Sequence, residues 1–422
     1  MRAFNALLFV LFALSANAAD GTVGTVSVQK GNNVSVNGEA PLSLTLDGKD
    51  PQNCQFLSKR AADESHDFTW KEVTTTRGGE LAEMLGDQLR SIDSLVVKGN
   101  VNDKDFHAMW DASLYGYLSV INLKNAVLEN NAVPDTAFFH ENEQYEGSSH
   151  EIFYYIGLRK IILPEGLEKI GEGAFYQASA LRQVNFPSTL RYIGDFAFNA
   201  TKLEMNQLVI PEGVEEINQY AFAFCRKLKA QVTLPSTIKK IGEWAFYGCP
   251  ITSINLPEGL ESLGSLAFWD CDLREVSIPS SCHEFNEGWQ FGFNRNLEKM
   301  HLPEGMTEIP DHFAVDCFRL REVNFPHTLK HIGEKAFSLC ISLKNVDLPL
   351  GMQSLGEEAF SELEALEQIV FPASMKSLGK NSCSYWKNIK RIYCAAMEPP
   401  VCDPTDGGVF SGFDFPDGLN TP

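Results

Sequence analysis

Ten cysteines and nine histidines are the side chains best suited to metal binding or nucleophilic chemistry in this chain. Cys225, Cys249, Cys271, Cys317 and Cys340 each stand fourteen residues after a proline, so a single structural position recurs. Stacked in successive layers, such thiols form a column. Neighbouring layers bring Cα atoms within disulfide range, roughly 4.4–6.8 Å, but parallel side chains miss the required Cβ–S–S–Cβ twist of about 90°. A column also fails to offer zinc four tetrahedral ligands. The expected state is buried free thiols that pack as small apolar groups. Cys394 and Cys402 flank a Pro-Pro turn near the chain's end, where closing a short loop would restrain a fraying terminus, and they form the candidate disulfide.

His327 and His331 are four apart and near His301 and His312 of the preceding unit. They fall in a turn rather than on a helix, and without an H-E-x-x-H arrangement the expectation is no metal site. The sequence offers no nucleophile beside its base, no G-x-G-x-x-G or G-x-x-x-x-G-K-[ST] phosphate loop and no paired-carboxylate cleft, so no catalytic residue and no cofactor are assigned. Pro-Glu-Gly at 164, 211, 257 and 303 places a glutamate in each of those turns, read as solvated surface.

What must position these residues is a repeat. Pro164, Pro187, Pro211, Pro235, Pro257, Pro279, Pro303, Pro326, Pro349 and Pro372 follow one another at intervals of 22 to 24 residues. Before most of them apolar residues stand six, three and one positions back, as in Leu158, Ile161, Leu163 and Leu320, Val323, Phe325. The last two of each trio share one face of a strand, and proline, which cannot donate a ladder hydrogen bond, ends it. A second apolar pair follows (Leu167 and Ile170; Leu329 and Ile332), then usually a glycine, expected to turn the chain at positive φ, then Ala-Phe. A unit of this size cannot bury its own apolar face, whereas stacked copies share a continuous core. Degenerate copies at Ile92, Leu95, Val97, at Leu118, Ile121, Leu123 and at Ile389, Ile392, Cys394 bring the total to about thirteen rungs. The fold class is an α/β-type repeat, a leucine-rich-repeat solenoid with short parallel strands on its concave face and a small N-terminal β/helical cap.

Length alone, 422 residues, would suggest two or three domains, and the repeat overrides that count. Lys+Arg 35 against Asp+Glu 55 gives a net charge of −20, which repels phosphate backbones and excludes nucleic acid as an expected partner. Residues 1–18 join Arg2, the apolar run Ala6–Leu14 and Ala16-Asn-Ala18, the pattern of a secretory signal peptide. No later stretch reaches 18 apolar residues, so no membrane-spanning segment is expected after cleavage. The organisation that follows is a β/helical cap over 19–91, degenerate leading repeats with an acidic insertion over 92–157, regular repeats over 158–394 and a tail over 395–422. Within the cap, Val26, Val28, Val34 and Val36 alternate as strands do, and Leu81, Met84, Leu85 and Leu89 keep helical spacing.

The motif L-x-x-[IV]-x-[LF]-P-x-x-[LVI]-x-x-I-G-x-x-A-F-x-x-C, present as Ile238-Lys-Lys-Ile-Gly-Glu-Trp-Ala-Phe-Tyr-Gly-Cys249 and Leu329-Lys-His-Ile-Gly-Glu-Lys-Ala-Phe-Ser-Leu-Cys340, resembles the repeat of BspA-like leucine-rich-repeat surface proteins. The likeness covers residues 158–394. It implies a secreted or cell-surface protein that contacts a host extracellular-matrix or cell-surface protein or glycan.

Strand residues four and two before each proline point away from the core and, with those five before it, define the expected binding face: Arg182, Asn185, Asn255, Arg274, His301, Arg321, Asn324, Lys344 and Asp347. Solenoids use such extended surfaces for protein ligands. Few aromatics interrupt it, which argues against sugar stacking. The functional expectation is non-enzymatic adhesion or protein binding; the alternative is an envelope spacer with no dedicated ligand.

Overall fold

The computed structural model describes residues 24–29, 33–38, 68–139, 156–402 and 408–411. The segment expected to be a signal peptide, the acidic insertion at 140–151, Cys54 and the tail beyond 411 lie outside the described residues. The chain divides into two compact units, 1–69 and 70–422. In the first, β1 (Gly24–Gln29) and β2 (Asn33–Gly38) pair antiparallel with Val26 opposite Val36 and Val28 opposite Val34.

The second unit opens with three long parallel strands, β3 (Trp70–Thr75), β4 (Ser94–Val101) and β5 (Val120–Leu128). Two helices, α1 (Leu81–Leu85) and α2 (Asp103–Tyr115), lie between them in sequence. Asn102 caps α2 by accepting from Lys104 N, while the buried Asp105 carboxylate accepts from Asn102 N, Gly79 N and Leu81 N. One carboxylate thus supports the starts of both helices, where backbone donors lack partners. Leu81, Leu85 and Leu89 are buried as their spacing requires, and Met84 is exposed.

From Lys160 onward each turn of the chain repeats one plan, and the unit is a parallel β-solenoid of about 13 turns with little helix. A first strand of two to four residues ends before the proline, as in Gln207–Val209, Gln231–Thr233 and Ser253–Asn255, which pair in register. A second strand of two residues, such as Lys169–Ile170 or Tyr192–Ile193, builds another parallel ladder in place of a helix. The Ala-Phe segment adds a third ladder made of turns. Its amides bond alternately within and between rungs: Phe198 N donates to Ala221 O at 2.8 Å, Asn199 N to Phe196 O, and Ala200 N to Ala223 O.

Phe138, Phe175, Phe198, Phe222, Phe246 and Phe268 are fully buried and stack along the interior, with centroids 5.2 to 5.6 Å apart and interplanar angles of 12° or less. Where the motif reads Phe313-Ala314 instead of Ala-Phe, the ring turns to 76° against Phe291.

The glycines after the second strand do not serve as expected. Gly194, Gly242, Gly264, Gly356 and Gly379 lie outside the positive-φ set. A Cβ at these positions would stand 2.4 to 2.8 Å from a backbone nitrogen of the preceding rung, so they are needed for close approach of neighbouring backbones. The positive φ falls two residues later, on side chains, at Phe196 (55°) and Trp244 (56°), and at the equivalent Tyr220 (55°), which follows Asn218. Left-handed backbone costs roughly 1–2 kcal/mol for such residues. Stacking between rungs offsets it, with Phe196 on Tyr220 at 4.7 Å and 7° and Tyr220 on Trp244 at 5.3 Å and 13°.

Candidate ligand-binding face

The first strands alternate exposed, buried, exposed, as in Gln231-Val232-Thr233 and Glu275-Val276-Ser277, because a period of two sends every second side chain outward. The residues two and four before each proline therefore share one surface, and exposed residues five before it, such as Arg274 and Arg321, stand just ahead of the strand. Its charges are largely matched between neighbouring rungs. Arg182 Nη1 lies 2.6 Å from Glu204, Lys299 Nζ 3.2 Å from Glu322, His301 Nε2 3.3 Å from Glu275 and Lys390 Nζ 2.9 Å from Glu367.

Besides Arg182 and His301, two amides of the expected set are occupied structurally. Asn185 accepts from Leu163 N at 2.7 Å and donates to Leu163 O at 3.0 Å; Asn324 does the same to Leu302, at 2.9 and 3.0 Å. Each amide completes a strand end on the preceding rung, so its polar atoms are not free for a ligand. The side chains of Arg274, Arg321, Lys344, Asn255 and Asp347 are exposed and make no hydrogen bond or ion pair to other described residues. From Arg274 to Asp347 they span four successive rungs. Lys202 was not anticipated: it is partly buried, and burial first, then Arg182 and Lys227, pull its ammonium below the ordinary lysine range. Its signal was a third cation one rung beyond Arg182.

The cysteine column is buried and free, at Cys225, Cys249, Cys271, Cys317 and Cys340. Its role is more specific than apolar filling. Cys249 Sγ donates to Phe222 O at 2.9 Å, Cys271 Sγ to Phe246 O at 3.2 Å and Cys317 Sγ to Phe291 O at 3.3 Å. Where the column lacks cysteine, Asn294 Nδ2 donates to Phe268 O at 2.7 Å and Trp386 Nε1 to Phe360 O at 2.6 Å. In these rungs the position supplies a donor to a carbonyl of the rung before, whereas Ala178 and Leu363 occupy it without one. Burial pushes the Cys317 thiol up to about 12, which makes it inert.

Cys394 and Cys402 are not joined. Both are exposed free thiols, on strands Arg391–Cys394 and Val401–Cys402, which extend two different ladders. The histidines also disperse: His327 lies on Glu304 at 2.9 Å, His331 on Ser354 at 2.6 Å and His312 flat on Trp289 at 3.6 Å. Among the described residues no group of three His, Cys, Asp or Glu side chains is arranged to hold a metal. None of the described helices is long and apolar enough to cross a membrane.

A stack of short parallel strands with an Ala-Phe interior and a polar outer strand face defines a leucine-rich-repeat solenoid. Residues 148–231, 230–337 and 312–397 match the BspA type Leucine rich repeat region, in six copies, and the chain belongs to that family. Among solved structures it is similar to a leucine-rich repeat protein from Bacteroides ovatus, with 20% identity over 87% of this chain and 92% of that one and a TM-score of 0.53. A leucine rich cell surface protein from Faecalibacterium prausnitzii matches at 18% identity, 78% and 88% coverage and a TM-score of 0.37. One from Eubacterium ventriosum, a leucine-rich repeat protein, matches at 16% identity, 80% and 94% coverage and a TM-score of 0.40. No curated protein matches the chain.

Proposed function

We propose that the chain is a secreted or cell-surface, non-enzymatic binding protein that engages a protein or glycan of a host matrix or cell surface through its first-strand face. The observation that carries this reading is the run of exposed, unpaired Arg274, Arg321, Lys344, Asn255 and Asp347 on a face where other charges, such as Arg182, Lys299 and Lys390, are paired between rungs. Unpaired cations on an otherwise acidic molecule cost nothing structurally to redeploy and favour encounter with acidic partners. Family membership supports the same reading.

The test uses residues 19–422, with binding to purified matrix proteins and to host cells measured for wild type and for an Arg274→Glu/Arg321→Glu/Lys344→Glu variant. Binding is expected to fall at least tenfold in the variant, and undiminished binding removes the face assignment. A spacer role is the second reading, favoured by the self-satisfied Asn185, Asn324 and Lys299. It predicts that the wild-type chain binds none of these targets.

A further inference from the structure

From Pro164 to Pro326 the corner after the proline does not repeat every rung; it repeats every second rung, while the last pair carries Leu350-Gly351 and Ala373-Ser374. The residues following the prolines alternate: Glu-Gly after Pro164, Pro211, Pro257 and Pro303, but Ser-Thr, Ser-Thr, Ser-Ser and His-Thr after Pro187, Pro235, Pro279 and Pro326. The two kinds interlock. Glu165 accepts from Ser188 N and Oγ, Glu212 from Ser236 N and Oγ, Glu258 from Ser280 N and Oγ, and Glu304 from His327 N, all at 3.0 to 3.3 Å. In the same corners Gly166 N, Gly213 N, Gly259 N and Gly305 N each donate at 2.9 Å to the hydroxyl of Thr189, Thr237, Ser281 and Thr328. Those hydroxyls in turn donate to the carbonyls of Leu167, Val214, Leu260 and Met306 at 2.7 to 2.8 Å.

In the four Glu-Gly pairs the two corners are chemically complementary. Glu-Gly supplies an acceptor and a glycine at φ 96° to 105°, and the next corner supplies the hydroxyl that meets both. Two Glu-Gly corners in succession would lack the hydroxyl; two Ser-Thr corners would lack the carboxylate. The Asn185 and Asn324 clamps fall inside the same pairs, 164 with 187 and 303 with 326. Across the junctions between pairs the corners are held differently, by Arg191 Nη1 on Glu212 O at 3.1 Å and by Lys239 on Glu261 at 3.3 Å. The two strand ladders do not share this period, since the break after Ser253–Asn255 falls within a pair.

We infer that the structural module of this solenoid is a pair of rungs, about 46 residues closed by one corner network, and that the stack opens along the seams between pairs. Residues 211–256 form one such module, and four Glu-Gly corners in alternate rungs mark where modules begin.

Two deletions in residues 19–422 separate this from a stack of equivalent rungs. Removing 211–256 leaves every remaining corner with its proper partner; removing 211–234 sets the Pro235 corner against the Pro187 corner. With equivalent rungs and nearest-neighbour coupling, the shorter deletion should lower Tm by about half as much as the longer. The paired module predicts a loss from the shorter deletion equal to or greater than that from the longer, and a half-sized loss overturns it. If neither deletion folds, hydrogen exchange in Thr237→Val decides. Gly213 N should exchange about fivefold faster while Gly166 N is unchanged, as expected for one lost hydrogen bond; unaltered exchange at Gly213 contradicts the clamp.

Discussion

The interior of the rungs and their first-strand face are built from the same chain at the same period, yet they follow opposite rules. Inside, few residue types serve each position: phenylalanine stacked on phenylalanine, most often a thiol donating to the preceding rung's carbonyl, glycine where a Cβ would strike a backbone. Outside, the equivalent positions hold Gln207, Gln231, Ser253, Glu275, Lys299 and Glu322 in turn. The contrast teaches where this fold stores its stability and where it leaves chemistry free. Inter-rung packing demands repetition, because each side chain must fit the copy above and below it, while a solvated strand position meets only water or a partner.

The comparison breaks most visibly if an interior ring can be removed cheaply. Phe246→Ala, in the middle of the stack, is expected to lose about 3–5 kcal/mol in denaturant unfolding, since Phe222 and Phe268 cannot collapse into the space. Gly264→Ala should cost about 1–3 kcal/mol, because its new methyl would lie 2.4 Å from Glu243 N and push two rungs apart. Cys249→Ala is expected to lose roughly 1 kcal/mol beyond Cys249→Ser, which keeps a donor for Phe222 O. The buried thiols also set a pH limit. The Cys317 and Cys383 thiols are pushed up from 9.0 to about 12 by burial, so their contribution is complete below pH 9 and is lost as pH rises from there toward 12. Unfolding midpoints should accordingly be lower at pH 10.5 than at pH 8. At the small end, Arg274→Ala, Arg321→Ala and Lys344→Ala should each change stability by no more than about 0.5 kcal/mol, and a larger effect would mean that this face is structural.

The rungs, the prolines that end the first strands, the buried Ala-Phe column and the exposed strand positions were all legible in the sequence, because each is a periodic pattern with a direct physical cause. Three features were not. Gly194 and Gly264 looked like turn formers, since a sequence shows that glycine is present but not whether φ or space demands it. The aromatic turn edge of Phe196, Tyr220 and Trp244 was missed because large rings at positive φ run against propensity, and only stacking between rungs makes them tolerable. At the first-strand face, position was readable but partnership was not: Asn185 and Asn255 both stand two residues before their proline, and nothing local distinguishes the amide clamped to Leu163 from the one left unpaired. The Pro-Glu-Gly glutamates, read as solvated, are exposed yet hold the next corner.

Native-state hydrogen exchange followed at the amides of Phe198, Phe222 and Phe246 probes the shared interior most directly, since each donates across to the next rung at 2.8 to 2.9 Å. If successive rungs hold one another closed, these amides exchange only through large-scale opening, orders of magnitude more slowly than the exposed turn amides. Exchange at the rate of an open loop would mean that the turns are not laddered and that the rungs do not share a core.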